Sequence, residues 1–158
     1  KGKITALDIR ENALKELEKR CLRAGVIIAN SKLADAETIE KLKESADYLL
    51  LDVPCSGLGV LKRNPDAKWK LTSEFIQSIK ATQQDIINSY SSMVKHGGSM
   101  VYSTCSILPS ENEDQVKTFL ESETGQDFTL VKQESILPKE EDFDGFYMAL
   151  LKKNDPAS

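Results

Sequence analysis

The chain has 158 residues, 40% hydrophobic and 29% charged, the size and composition of one globular domain with a sizeable core. No apolar run approaches the roughly 20 residues of a membrane span, and the start KGKITALDIRE carries no signal-peptide pattern, so a soluble protein of the reducing cytoplasm is expected. A net charge of −4 argues against a freestanding nucleic-acid binder, and three scattered cysteines with one histidine exclude a disulfide framework or an ordinary zinc site.

Residues 4–9 (ITALDI) are predicted to form a strand that ends in an acid, Asp8. Over residues 10–24, Ala13, Leu14, Leu17, Cys21 and Leu22 recur at three- and four-residue steps, the mark of an amphipathic helix, with Gly25 where a C-cap belongs. Cys21 lies on that apolar face and reads as a core thiol. Residues 26–29 form a short apolar strand, and residues 35–45 a weaker helix with Ile39 and Leu42 inward. Residues 48–53 are apolar except for Asp52, as in a strand buried on both faces. The stretch 54–71 holds SGLG, an Asn-Pro step and the pair Lys62-Arg63, and reads as a long loop. Long loops in compact domains are commonly functional.

Thr72 or Ser73 caps the next helix, with Glu74 in its first turn. Phe75, Ile76, Ile79, Ile86, Ile87, Tyr90, Met93 and Val94 trace its apolar stripe until His96-Gly97-Gly98 ends it. His96 is expected to cap helix carbonyls or face water. Residues 100–104 form a further buried strand. Ser110 and Glu113 have capping-box spacing, so a helix is predicted from there to about residue 122, burying Val116, Phe119 and Leu120. A strand at 128–131, an acidic loop at 133–145, a last strand at 146–151 and a fraying polar tail at 154–158 complete the chain.

Helices alternating with continuously apolar strands predict an α/β fold with a doubly wound, mainly parallel sheet. In such sheets ligands lie over the carboxyl ends of the strands, where Asp8, Asp52, Cys55 and Cys105 all fall. If the strands ending at Asp52 and Thr104 are neighbours, about 4.8 Å apart, Cys55 and Cys105 approach each other. One reaction that uses two thiols near a carboxylate is methyl transfer to carbon 5 of a pyrimidine. That carbon is a poor nucleophile until a thiolate adds at carbon 6. A carboxyl group on the ring's N3 and N4 edge assists the addition, and a base then removes the carbon 5 proton. A lowered thiol pKa is needed, and a helix N-terminus after Ser110 would favour it at Cys105.

The stretches DVPCSGLGVLKRNPDAKW and YSTCSILPSENE resemble two signature motifs of the Sun (Nol1/Nop2/Sun) family of RNA 5-methylcytosine methyltransferases. The resemblance runs from Ile4 to Leu151 and implies a Rossmann-like, S-adenosylmethionine-dependent methyltransferase sheet, mainly parallel with an antiparallel last strand. It also implies that Cys105 is the nucleophile, that Cys55 assists release of the methylated RNA, and that Asp52 holds the base. Asp8 matches the acid that binds the cofactor ribose. Asn30 or Asp35 stands in for the usual adenine-contacting acid, and Asp52 and Pro54 fall on the cofactor side. Lys62, Arg63 and Asn64 are placed beside the site against RNA, with ribosomal RNA the first expectation and transfer RNA the second.

The family's first, central strand and its glycine-rich cofactor loop do not occur in this sequence. Residues 1–153 are therefore expected to be the C-terminal part of a larger catalytic domain, with 154–158 a tail. The missing N-terminal region would carry part of the cofactor floor, so the chain alone is expected to bind S-adenosylmethionine weakly or not at all and to be inactive. Alternatively, the strands at 4–9 and 48–53 close up and pair directly. Two other classes remain beside the enzyme: a non-catalytic RNA-binding or interaction module that keeps the fold, and a thiol redox or hydrolytic enzyme. The last would want a CxxC or a cysteine beside a histidine, and only His96 is available.

Overall fold

The structure is a computed structural model that describes residues 2–138 and 144–156. It divides into two compact units, Lys1–Leu42 and Lys43–Ser158. In the first unit, β1 (Ile4–Asp8) is followed by α1 (Glu11–Arg23), β2 (Ala29–Leu33) and α2 (Ala36–Lys41). β1 and β2 pair in parallel, from Ile4 opposite Ala29 to Asp8 opposite Leu33.

Three expectations for this unit are corrected. The strand expected at 26–29 begins only at Ala29, because the residues before it are engaged in closing α1. The Val26 N–H donates to the Cys21 carbonyl at 2.9 Å and the Gly25 N–H to the Leu22 carbonyl at 3.2 Å, with Gly25 at φ 67°. That pair of hydrogen bonds with a left-handed glycine ends the helix and leaves Ile27 93% exposed. Cys21 is half-buried rather than a core thiol, and on α1 it is Leu14 that is buried. α2 is shorter than the predicted 35–45. Its cap is Asp35, whose carboxylate accepts from the Thr38 N–H at 2.7 Å.

The second unit runs β3 (Ala46–Asp52), α3 (Ser73–Tyr90), β4 (Val94–Thr104), α4 (Glu113–Leu120), β5 (Phe128–Ile136) and β6 (Phe146–Lys153). Its sheet order is β3-β4-β6-β5. β3 and β4 are parallel, and β6 runs antiparallel to both β4 and β5, so the last strand alone points the other way. Within the first unit β1 pairs with β2, and within the second β3 pairs with β4. The core gathers Leu51, Val53, Ile87, Met100, Tyr102, Val116, Phe119, Phe128, Tyr147 and Leu151.

β3 is buried on one face only. Leu51 turns inward while Tyr48 is 86% and Leu50 69% exposed, as the period-two geometry of an edge strand requires. α3 begins as read, with Thr72 Oγ1 accepting from the Phe75 N–H at 3.1 Å. It stops at Tyr90 rather than near residue 96. There the Ser91 and Ser92 hydroxyls donate to the Asn88 and Ser89 carbonyls, and the chain tightens into a 3-10 turn, Ser91–Met93. β4 consequently starts at Val94, and His96 lies on this strand instead of capping a helix. Its Nδ1 is 2.9 Å from the Asn154 carbonyl oxygen and its Nε2 3.3 Å from Glu44 Oε1.

Ser110 does not cap α4. It sits inside a 3-10 turn, Pro109–Glu111, and the helix follows Asn112. The strand expected at 128–131 extends to Ile136, so the acidic loop starts later than residue 133, and residues 139–143 lie outside the described residues. Asn154 in the tail is held by its N–H to the Asp127 carbonyl at 2.7 Å. Among the described residues no helix is long and apolar enough to cross a membrane.

Phe119 has no exposed surface and its ring centre lies 5.4 Å from that of Phe128. Phe119→Ala should lower the unfolding free energy by about 3–5 kcal/mol, read as a shift in the urea midpoint of the 158-residue chain. A loss below about 1 kcal/mol would show that α4 is not packed on the sheet as described.

Candidate active site

Parallel pairing sets Asp52 opposite Ser103, so the chains leaving β3 and β4 emerge at the same end of the sheet. Cys55 follows the end of β3 and Cys105 is the residue after β4. Their Sγ atoms stand 3.0 Å apart although the residues are 50 positions distant. Both are half-buried. Burial, and next the contact with Cys105, push the Cys55 thiol up to about 12, so it is protonated at neutral pH.

The loop after β3 is held against the loop after β4 by backbone as well. The Gly59 N–H donates to the Cys105 carbonyl at 2.9 Å, and the Gly59 carbonyl accepts from the Gly145 N–H at 2.7 Å. A Cβ at position 59 would come within 2.2 Å of the Gly145 oxygen and 2.7 Å of the Cys105 oxygen. The SGLG sequence is thus a spatial requirement at Gly59 and a turn requirement at Gly57, whose φ is 73°.

Beneath the thiols lies a polar cluster that spacing did not reveal. Glu111 is fully buried. Its Oε1 accepts from the Ser56 N–H at 2.8 Å and from Gln83 Nε2 at 3.1 Å, and its Oε2 accepts from the Ser56 and Ser106 hydroxyls. Thr104 Oγ1 donates to Asn112 Oδ1 at 2.6 Å, and Asn112 Nδ2 donates back to the Ser106 carbonyl at 3.0 Å. Tyr102 donates its hydroxyl to the Glu111 carbonyl at 2.8 Å, and burial drives its pKa far above the ordinary value. In the sequence, Glu111 stood between the two residues that formed the misleading capping-box spacing.

The other predicted site residues are distributed as follows. Asp52 and Pro54 are exposed at the end of β3, and the Pro54 carbonyl accepts from Gln83 Nε2 at 2.9 Å. Lys62, Arg63 and Asn64 are exposed on the following loop, where Arg63 Nη2 lies 2.5 Å from Asp144 Oδ2. Asp8 and Asp35 belong to the first unit. The Arg10 guanidinium, bonding both Asp8 oxygens at 3.1 Å, holds the Asp8 carboxyl below its usual range. The Thr38 N–H does the same for Asp35. Asn30 Oδ1 accepts from the Thr5 hydroxyl at 3.1 Å. Among the described residues no group of three or more His, Cys, Asp or Glu is arranged to hold a metal ion.

Residues 1–152 match the family model described as 16S rRNA methyltransferase RsmB/F. The chain is 39% identical over 156 residues to ribosomal RNA small subunit methyltransferase B of Vibrio vulnificus, covering 95% of this chain and 36% of that protein. Among solved structures, PH0851 superposes with a TM-score of 0.87 at 32% identity, over 97% of this chain and 37% of that one. NSun6 from Pyrococcus horikoshii, solved with SFG, superposes at 0.83 and 29% identity, over 97% of this chain and 42% of its own. The chain thus spans little more than a third of the length of the curated relatives it matches.

The raised Cys55 pKa sets the sign of a pH test, because the protonated thiol is unreactive and its thiolate forms only toward pH 12. At pH 8, iodoacetamide should modify Cys55 of the reduced chain about a hundredfold more slowly than it modifies free cysteine. Peptide mass spectrometry should show the rate still climbing above pH 10. A rate that levels off near pH 9 would contradict the buried, protonated thiol.

Proposed function

Because the chain belongs to the 16S rRNA methyltransferase RsmB/F family, we propose that it forms the C-terminal part of the catalytic domain of an RNA cytosine-C5 methyltransferase acting on ribosomal RNA. The observation that supports this reading is the pair of thiols 3.0 Å apart at the carboxyl end of parallel strands, one of them kept protonated. In this reading the Cys105 sulfur adds to carbon 6 of the cytosine, breaking the 5,6 double bond and making carbon 5 nucleophilic. The exposed Asp52 carboxyl grips the N3 and N4 edge of the base and favours that addition. After carbon 5 has gained its methyl group, a base accepts its proton, the C–H electron pair re-forms the 5,6 double bond, and the carbon 6–sulfur bond breaks with its pair leaving on Cys105 as a thiolate. Cys55, carrying a proton at neutral pH beside that sulfur, assists this release.

S-adenosylmethionine would supply an electrophilic methyl group. The residues present fit it in part. Asp8 and Asp52 stand at strand ends, where a ribose and the donor's polar edge are commonly held. Pro54 is exposed two residues after Asp52, whereas the Asp35 carboxylate is already taken up by the Thr38 N–H as a helix cap. Lys62, Arg63 and Asn64 would face the RNA, Arg63 by exchanging Asp144 for a phosphate. Transfer RNA is the second substrate class, and a cytoplasmic location suits either. The activity is proposed for the full-length protein, since the curated relatives carry nearly two thirds of their length outside the matched share. The exposed Tyr48 and Leu50 on the edge strand β3 are consistent with further structure there.

The test is covalent trapping. Full-length protein mixed with S-adenosylmethionine and ribosomal RNA containing 5-azacytosine should form an adduct that survives denaturing electrophoresis. Cys105→Ser should abolish the adduct, and Cys55→Ser should let an adduct accumulate on unmodified RNA. Trapping that ignores both substitutions would refute the mechanism.

A further inference from the structure

We propose that Glu111 is the positioning residue of the thiol pair: a buried carboxylate that fixes the Cys55 and Cys105 loops to one another by binding the residue that follows each cysteine. Ser56 comes immediately after Cys55 and Ser106 immediately after Cys105. Both hydroxyls donate to the same atom, Glu111 Oε2, and the Ser56 backbone N–H donates to Oε1 at 2.8 Å. The two hydroxyl oxygens also lie 3.2 Å from one another, a direct tie between the loops beside the shared acceptor. Each serine side chain also accepts from its own loop, Ser56 Oγ from the Leu58 N–H at 3.4 Å and Ser106 Oγ from the Leu108 N–H at 3.1 Å. Through the two serines the carboxylate therefore orients whole turns, not isolated hydroxyls.

Gln83 shows how firmly this arrangement is imposed. Its Nε2 donates to Glu111 Oε1 and to the Pro54 carbonyl, while its Oε1 is buried without a hydrogen-bond partner. Turning the amide over would set that oxygen against two other acceptors, so the orphaned oxygen is tolerated to keep the donor in place. Glu111 itself sits in the 3-10 turn that follows the Cys105 loop, tethered by the Tyr102 hydroxyl on β4. Four donors converging from residues 56, 83 and 106 satisfy a buried carboxylate that would otherwise be strongly destabilising. As a statement about catalysis this rests on the methyltransferase reading; as a statement about thiol geometry it does not.

The measurement is the equilibrium between the Cys55–Cys105 dithiol and its disulfide in glutathione buffers, using the 158-residue chain with Cys21→Ser so that only this pair reports. The two thiols lose two protons and two electrons to glutathione disulfide, which leaves as two glutathione thiols. The equilibrium constant measures how effectively the loops present one sulfur to the other. Glu111→Gln keeps the shape and removes two acceptor sites. With its near-UV circular dichroism retained, it should lower that constant about tenfold, a rise of about 30 mV in the midpoint potential. Ser56→Ala and Ser106→Ala, each removing one tie, should move it in the same direction by less. A folded Glu111→Gln with an unchanged constant overturns the proposal. If Glu111→Gln does not fold, unchanged constants in both serine variants overturn it. Neither RNA nor S-adenosylmethionine enters the measurement, so its failure and that of the trapping experiment are distinguishable.

Discussion

The chemistry of the second unit depends on β3 and β4 lying side by side with Asp52 opposite Ser103. Parallel neighbours cannot be joined by a tight turn, so the crossover must travel back the length of the sheet. Here it does so through the loop at 54–71 and the whole of α3. That is why two cysteines 50 residues apart can touch. A slip of one residue in the ladder would turn the inward Leu51 and Tyr102 outward and shift the strand ends past each other, so burial of the core and registry of the thiols are one constraint.

The same strands change character at their ends. Met100 and Tyr102 on β4 are fully buried and largely apolar, and then Ser103, Thr104 and Ser106 are just as buried but polar. Loops leaving a sheet within the protein carry backbone groups that need partners, and an apolar lining would leave them unsatisfied. Gln83 on α3 and the adjacent pair Glu111 and Asn112 supply those partners from two segments far apart in the chain. The core thus passes from hydrophobic packing, which tolerates small readjustments, to directed bonds, which fix one arrangement.

Features with a local physical signature were legible in the sequence. The i, i+3, i+4 pattern located α1 and α3, and Thr72 marked where α3 begins. The apolar runs located β3 and the end of β4, which was enough to pair the cysteines once those strands were supposed adjacent. Failures came where two local signals competed. Val26–Ile28 look like a strand, but Val26 closes α1. Met93 and Val94 continue the helical stripe, yet the hydroxyls of Ser91 and Ser92 had already ended the helix. Ser110 and Glu113 have the spacing of a cap without its geometry. Glu111 was beyond reach for a different reason: its donors come from residues 56, 83 and 106, and only the folded chain brings them together.

Gly59 limits how this loop could be rebuilt. The oxygens that crowd its missing Cβ belong to the main chain of Cys105 and of Gly145, so neither can rotate out of the way as a side chain would. A loop of equal length transplanted from another protein would need not only a thiol at the right height but also a point of bare backbone four residues later. The tolerance for grafting is accordingly uneven. The exposed run from Lys62 to Asn64 accepts new side chains without steric objection, whereas a single methyl group at Gly59 would push the whole turn away from the strand end it is meant to serve.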